Sequence, residues 1–114
     1  MASRLDNSVG SRLVDSLLRI AGETYIYRRG DQEEEITAAR SMVRSEVLDS
    51  QGAVVVTELA DFKVRTADLP FGLPQPGDRF SLDDLTWRVE PIPGEKCFSV
   101  QSPQMTRIHS VRQS

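Results

Sequence analysis

Apolar positions along the first twenty residues recur at helical spacing. Leu5, Val9, Leu13, Leu17 and Ala21 fall four apart, Val14 and Leu18 widen the same stripe, and Ile20 sits off it. Asp6, Arg12, Asp15, Ser16 and Arg19 lie largely outside that stripe. The pattern predicts an amphipathic helix over 3–21 with one buried face. Ser3 or Asn7 offers a capping oxygen at its start, and Gly22 is a natural stop just past its end. Gly10 weakens the pattern by up to about 1 kcal/mol relative to Ala, which makes Ser8 or Ser11 an alternative starting point.

After Gly22 the period shortens to two. Residues 23–29, Glu-Thr-Tyr-Ile-Tyr-Arg-Arg, are rich in aromatic and β-branched side chains and predict a strand. Gly30 and Asp31 open a polar turn expected to run through the acidic residues to 35. Residues 36–48 are ambiguous, because Ala, Arg, Met and Glu favour helix while Ile36, Ala38, Arg40, Met42 and Arg44 alternate; the alternation predicts a strand over 36–44. A turn follows over 49–52. Strands are expected over 53–59 and 61–66, then a Pro-rich loop with room for one helical turn over 67–74.

Pro76 and Gly77 then begin a hairpin. Arg79–Leu82 forms one arm, Asp83 and Asp84 the tight connection, and residues 85–90 the return. Phe80 and Leu82 share one face, as do Leu85, Trp87 and Val89. Phe98 and Val100 lie in phase on a further strand over 97–101. A last strand over 106–112 puts Ile108 on one face and His109 and Val111 on the other. One helix followed by six to eight short strands predicts a mainly β fold, a small antiparallel β-barrel or sandwich with an N-terminal α-helix packed across one opening. Trp87, Phe80, Val89 and Phe98 are its expected interior.

The length, 114 residues, fits one domain spanning 1–114 and burying roughly two-thirds of its unfolded surface. Apolar residues at 39% and charged residues at 27% exclude a disordered chain. No apolar run approaches the ~20 residues that cross a bilayer, and the first residues lack a secretory core, so no membrane is expected. A single Cys97 excludes an internal disulfide and suits a reducing compartment. The net charge of −3 and pI of about 5.1 argue against a general nucleic-acid grip, which needs a basic stripe.

Candidate chemistry is sparse. Cys97 and His109 form the one conceivable nucleophile–base pair, but both sit in expected strands, and a half-buried thiol beside a surface or interface histidine explains them. Structural zinc asks for four Cys or His side chains, and the chain has two. The run from Gly30 to Glu35 lacks the alternating ligands of a calcium loop, and no glycine motif cradles phosphate. Tyr25, Tyr27, Arg28 and Arg29 interleave rings with charge, yet one such cluster on an acidic chain reads better as core and edge. No catalysis, cofactor or metal is expected.

The charge is unevenly placed. Residues 1–29 carry five arginines, whereas Asp31, Glu33, Glu34 and Glu35 stand without a base. Arg107 and Arg112 follow without an acid after residue 101. Such patches are either solvated surface or complementary faces for neighbouring subunits.

Three stretches together resemble the head–tail joining proteins of tailed bacteriophages, the lambda type in particular. They are Phe-Lys-Val-Arg-Thr-Ala-Asp-Leu at 62–69, Pro-Gly-Asp-Arg-Phe-Ser-Leu at 76–82 and Thr-Trp-Arg-Val-Glu at 86–90. The likeness covers residues 62–100, about half of the chain. It departs from the lambda pattern in the Pro-rich surroundings of 70–76 and in residues 106–114. The resemblance implies a structural virion protein that forms a homo-oligomeric ring at the head–tail interface, the neck. Its partners would be the portal or an adaptor protein on one side and the tail tube or tail terminator on the other. It would lie near packaged DNA without sequence-specific binding, and would be assembled in the cytoplasm of the bacterial host. No catalytic residues come with the family. A tail-completion or tail-terminator protein of the same virion, and a small cytosolic nucleic-acid-binding or regulatory barrel, are the alternatives.

Three segments are the expected interfaces. The first is the acidic loop with Asp31, Glu33, Glu34 and Glu35. The second joins Asp49 and Gln51 with Phe71 and Leu73 of the Pro-rich loop. The third is the C-terminal stretch with Arg107, His109 and Arg112, whose positive charge would meet the acidic cluster of a neighbour.

Overall fold

The computed structural model describes the backbone of residues 2–48, 50–92 and 94–113, and the side chains of these except 2–11, 43–48 and 54–57. Helix α1 (Ala2–Ala21) precedes seven strands: β1 (Gly22–Arg29), β2 (Gln32–Leu48), β3 (Val54–Arg65), β4 (Arg79–Leu82), β5 (Leu85–Val89), β6 (Phe98–Ser102) and β7 (Met105–Arg112). A single 3-10 turn, Thr66–Asp68, stands in the expected loop. The strands run in the order β3-β2-β1-β4-β5-β7-β6, every pairing antiparallel. Pairing of β3 with β7 closes six of them into a barrel and leaves β6 outside the circle.

Strand β7 serves three neighbours with two edges. One edge pairs with β3 from Met105 to Val111. The other is divided: Met105–Ile108 hold β6, and Ser110–Arg112 hold β5. His109 stands at the division, where its N–H donates to the Cys97 carbonyl (2.8 Å) and its carbonyl accepts from Glu90 N–H (3.2 Å). No backbone group is wasted at the change of partner.

The interior is aromatic. Tyr25, Tyr27, Phe62, Phe80, Trp87, Val89 and Ile108 are fully buried, with Phe98 packed at the margin. Phe62 stacks on Phe80 with centroids 3.9 Å apart, and Tyr25 meets Phe62 edge-on at 5.1 Å. Such pairs add about 0.5–1.5 kcal/mol each beyond the area they bury. The expected alternation in the 79–90 hairpin holds, with Asp83 at φ 53° in its two-residue turn.

Several expectations are corrected. The acidic run is not a loop: only Gly30 and Asp31 turn, and residues 32–35 pair with residues 26–29 of β1. A strand as apolar as β1 needs a hydrogen-bonded neighbour, and Arg28 opposite Glu33 supplies charge compensation. The ambiguous 36–48 segment is strand throughout, because Ile36 and Ala38 face the core and β3 pairs with it as far as Leu48. Residues 54–65 form one strand where two were expected. Val100 is exposed, since β6 lies outside the barrel.

Helix α1 seats Val14 and Leu18, with Leu17 beside them, on Ala39 and Met105. Ala39 is one step out of phase with the inward-facing Ala38, so the helix lies on the outer side of the wall and not across an opening. The expected stripe is rotated accordingly, and Leu13 remains 68% exposed. At the junction a Cβ on Gly22 would stand 2.2 Å from the Leu18 carbonyl oxygen. Only glycine allows helix to pass into strand so tightly.

Candidate functional site

Beyond Met42 the two longest strands leave the barrel. Residues 43–48 of β2 pair only with residues 54–59 of β3, and β7 reaches no further along β3 than Leu59. At the strand rise this two-stranded arm extends about 20 Å past the last rung shared with the wall. It accounts for a molecule measuring 58 × 29 × 24 Å. An isolated ribbon of two strands is marginal in water, so an arm of this kind gains most by resting on something else. Gln51 lies in the turn at its tip, while Asp49 falls outside the described residues.

The Pro-rich loop of 69–78 is fixed rather than mobile. Asp78, only 2% exposed, accepts from Arg29 Nε (3.0 Å) and Nη2 (2.9 Å), from Gln75 N–H (3.0 Å) and from the Tyr27 hydroxyl. Arg29 donates in addition to the carbonyls of Phe71 (2.6 Å) and Leu73 (2.8 Å), and Cys97 Sγ donates to that of Pro74 (3.6 Å). Three carbonyls that lie outside the barrel strands thereby each find a donor. Burial, then the bond to Asp78, pushes the Tyr27 hydroxyl far above its ordinary range. The hydrogen bond to Asp78 raises Arg29 further still. The result is a rigid ledge on which Leu73 is exposed and Phe71 is half-buried under the Arg29 guanidinium.

The C-terminal candidates divide. His109, expected at the surface, is buried: Nδ1–H donates to Asp61 Oδ1 at 2.8 Å, and Nε2 lies 3.3 Å from Glu95 Oε2. Arg107 reaches the same Asp61 carboxylate at 2.7 Å, and Arg112 pairs with Glu58 at 2.7 Å. Burial would raise the Asp61 carboxyl, but the bonds from His109 and Arg107 outweigh it and hold it below its usual value. These basic side chains are therefore engaged within their own chain. Burial also raises the Cys97 thiol, away from nucleophilic thiolate.

Glu33, Glu34 and Glu35 are exposed, with Glu33 tied to Arg28. They stand on β2, whereas Phe71 and Leu73 lie in the Pro-rich loop and Gln51 in the turn at the tip of the arm. Sequence reasoning missed Asp78 and Arg29. A signal existed, because Arg29 shares the inward phase of Tyr25 and Tyr27, where a cation needs a buried partner. Among the described residues no cluster of His, Cys, Asp and Glu could hold a metal, and no helix is long and apolar enough to cross a membrane.

A family model described as phage head-tail joining protein matches residues 7–114, nearly the whole chain. No curated protein matches it.

Proposed function

The chain belongs to the phage head-tail joining protein family, a structural component of the virion at the head–tail junction, and on that premise we propose that it acts there as one unit of a ring. Each copy is a single barrel domain. The ring binds the portal or an adaptor on its head side and offers the docking surface for the tail tube or tail terminator on the other. It is assembled in the host cytoplasm, performs no catalysis and passes DNA without reading its sequence.

The observation that supports this reading most is the arm formed by the ends of β2 and β3. Beyond Leu59 no further strand among the described residues lies against it. The exposed Leu13 and Ile20 of α1, seven residues apart on one helix face, add a second uncovered apolar surface. Rigid ledge, arm and helix face suit contact with proteins.

Excising the arm tests the proposal. Replacing residues 44–58 with Asn-Gly joins Val43 to its register partner Leu59 through a two-residue turn. The shortened chain is expected to fold but to stay monomeric, and to fail to join tails to portal-bearing heads. Wild-type chain that remains a monomer in the presence of such heads would refute the ring.

A further inference from the structure

Three arginines cross the outer wall of the barrel in one row. Arg28 of β1 stands opposite Arg79 of β4, and Arg79 stands opposite Arg88 of β5. Their neighbours Tyr27, Phe80 and Trp87 are buried, so strand alternation turns all three arginines outward. Directly opposed side chains start about 5 Å apart, and like charges there repel. Nothing in the packing of the core asks for this arrangement.

Arg28 and Arg88 are partly compensated by Glu33 and Glu90, in exposed pairs. Arg79 is exposed, and its side chain has no ion-pair or hydrogen-bond partner among the described residues. Arg28 and Arg79 line a cleft of about 350 Å³ together with Gly30 and Gly77. At both glycines no atom lies within 4 Å of the place a Cβ would take, so the flanks of the cleft are open. The row thus presents an under-neutralised cation, flanked by two more, beside a recess with room for carboxylate side chains.

The matching charge lies on the same molecule. Glu33 and Glu35 face outward from β2, in the phase opposite to buried Ile36, and both are exposed. From β2 through β1 and β4 to β5 is three steps around a circle of six strands. Glu33 stands opposite Arg28, so the acidic strip borders the near end of the row, while Arg79 and Arg88 lie two and three strands away from it. Two different complementary surfaces on one molecule allow a heterologous contact, the kind that closes into a ring.

We propose that the row centred on Arg79, with Arg28 and Arg88 beside it, docks the Glu33–Glu35 strip of the next copy. This rests on the ring reading above and names its contact. Guanidinium groups grip carboxylates in bidentate fashion, and docking relieves the repulsion within the row. The basic partner of the acidic strip is thus the hairpin wall and not Arg107 or Arg112.

A charge exchange tests the pairing. Full-length chain carrying Arg79→Glu and Arg88→Glu, and chain carrying Glu33→Lys and Glu35→Lys, are each sized alone and as an equimolar mixture, with circular dichroism to check folding. Each alone is expected to stay monomeric, and the mixture to recover association, because an acidic copy then meets a basic one. Arg79→Gln and Glu35→Gln, milder changes, should each raise the assembly midpoint concentration about tenfold or more; they decide the matter if a reversed chain misfolds. Assembly of the reversed chains at wild-type concentration, or no recovery in the mixture of folded chains, overturns the pairing while leaving the ring standing. A wild-type chain that never assembles removes both. In a parallel titration with duplex DNA, binding lost through Arg79→Glu with assembly unchanged would assign the row to phosphate and also overturn the proposal.

Discussion

Arg28 and Arg29 are adjacent in the chain, yet alternation sends the first to the outer wall and the second into the network around Asp78. That network shows what one buried carboxylate does. It takes donors from β1 and from its own turn, while Arg29 reaches on to the loop carbonyls. Asp78→Asn leaves Arg29 and Tyr27 poorly matched and should cost about 3–5 kcal/mol in urea unfolding. Tyr27→Phe removes one neutral donor and should cost about 1–2 kcal/mol. Equal losses for both would contradict the central place given to Asp78. Asp61 supports a pH prediction. Its folded carboxyl lies below the ordinary value of 3.8, so its contribution is complete above that value and disappears as pH falls further through the folded one. Asp61→Asn should be less stable at neutral pH and should lose less of its remaining stability over that acid range; parallel curves would rule out the linkage. The inward phase of Phe80, Trp87 and Val89 was legible from spacing alone. The burial of His109 was not, because its partners Asp61 and Glu95 arrive only through closure of the barrel and the path of a connecting segment.

At the scale of elements, alternation located every strand, and its errors have a common cause. The turn after Gly30 ends early because a neighbouring strand claims residues 32–35, and pairing rather than polarity decides where a strand stops. The same competition resolves 36–48, where helix-favouring residues are drawn into sheet by β1 on one side and β3 on the other. The helix face was misjudged because a stripe read from spacing does not say which part of it the wall covers; Leu13 and Ile20 stay outside. The arm is the element least visible in sequence, since nothing in it tells where its outer neighbours end. It should also be dispensable to the barrel. The chain with residues 44–58 replaced by Asn-Gly keeps every aromatic pair, so its urea midpoint should move by no more than about 1 kcal/mol in stability, the size of the exposed Arg112–Glu58 pair it gives up. A loss several times larger would mean that the arm supports its own barrel.

For the molecule as a whole, sequence alone indicated a small closed sheet and a likeness to a virion joint, both now supported by the strand order and by the family match. The partner surfaces were read less well, because a charge is most available to a neighbour where its own chain leaves it unpaired. Arg107 and Arg112 are spoken for, whereas Arg79 is not.

The seam between β3 and β7 has a further consequence, for the order of events in folding. It joins positions between 40 (Arg65 to Met105) and 52 (Leu59 to Val111) residues apart, while the β1–β2, β2–β3 and β4–β5 hairpins are local. Local pairs zip early and distant ones wait on loop closure. A late seam predicts that Ile108→Val acts on one rate only: it should accelerate unfolding and leave the refolding rate nearly unchanged in stopped-flow traces. Until that seam shuts, β3 is an open edge carrying Asp61, Lys63 and Arg65, and charges on such an edge keep unfinished copies from zipping onto each other before each has completed itself.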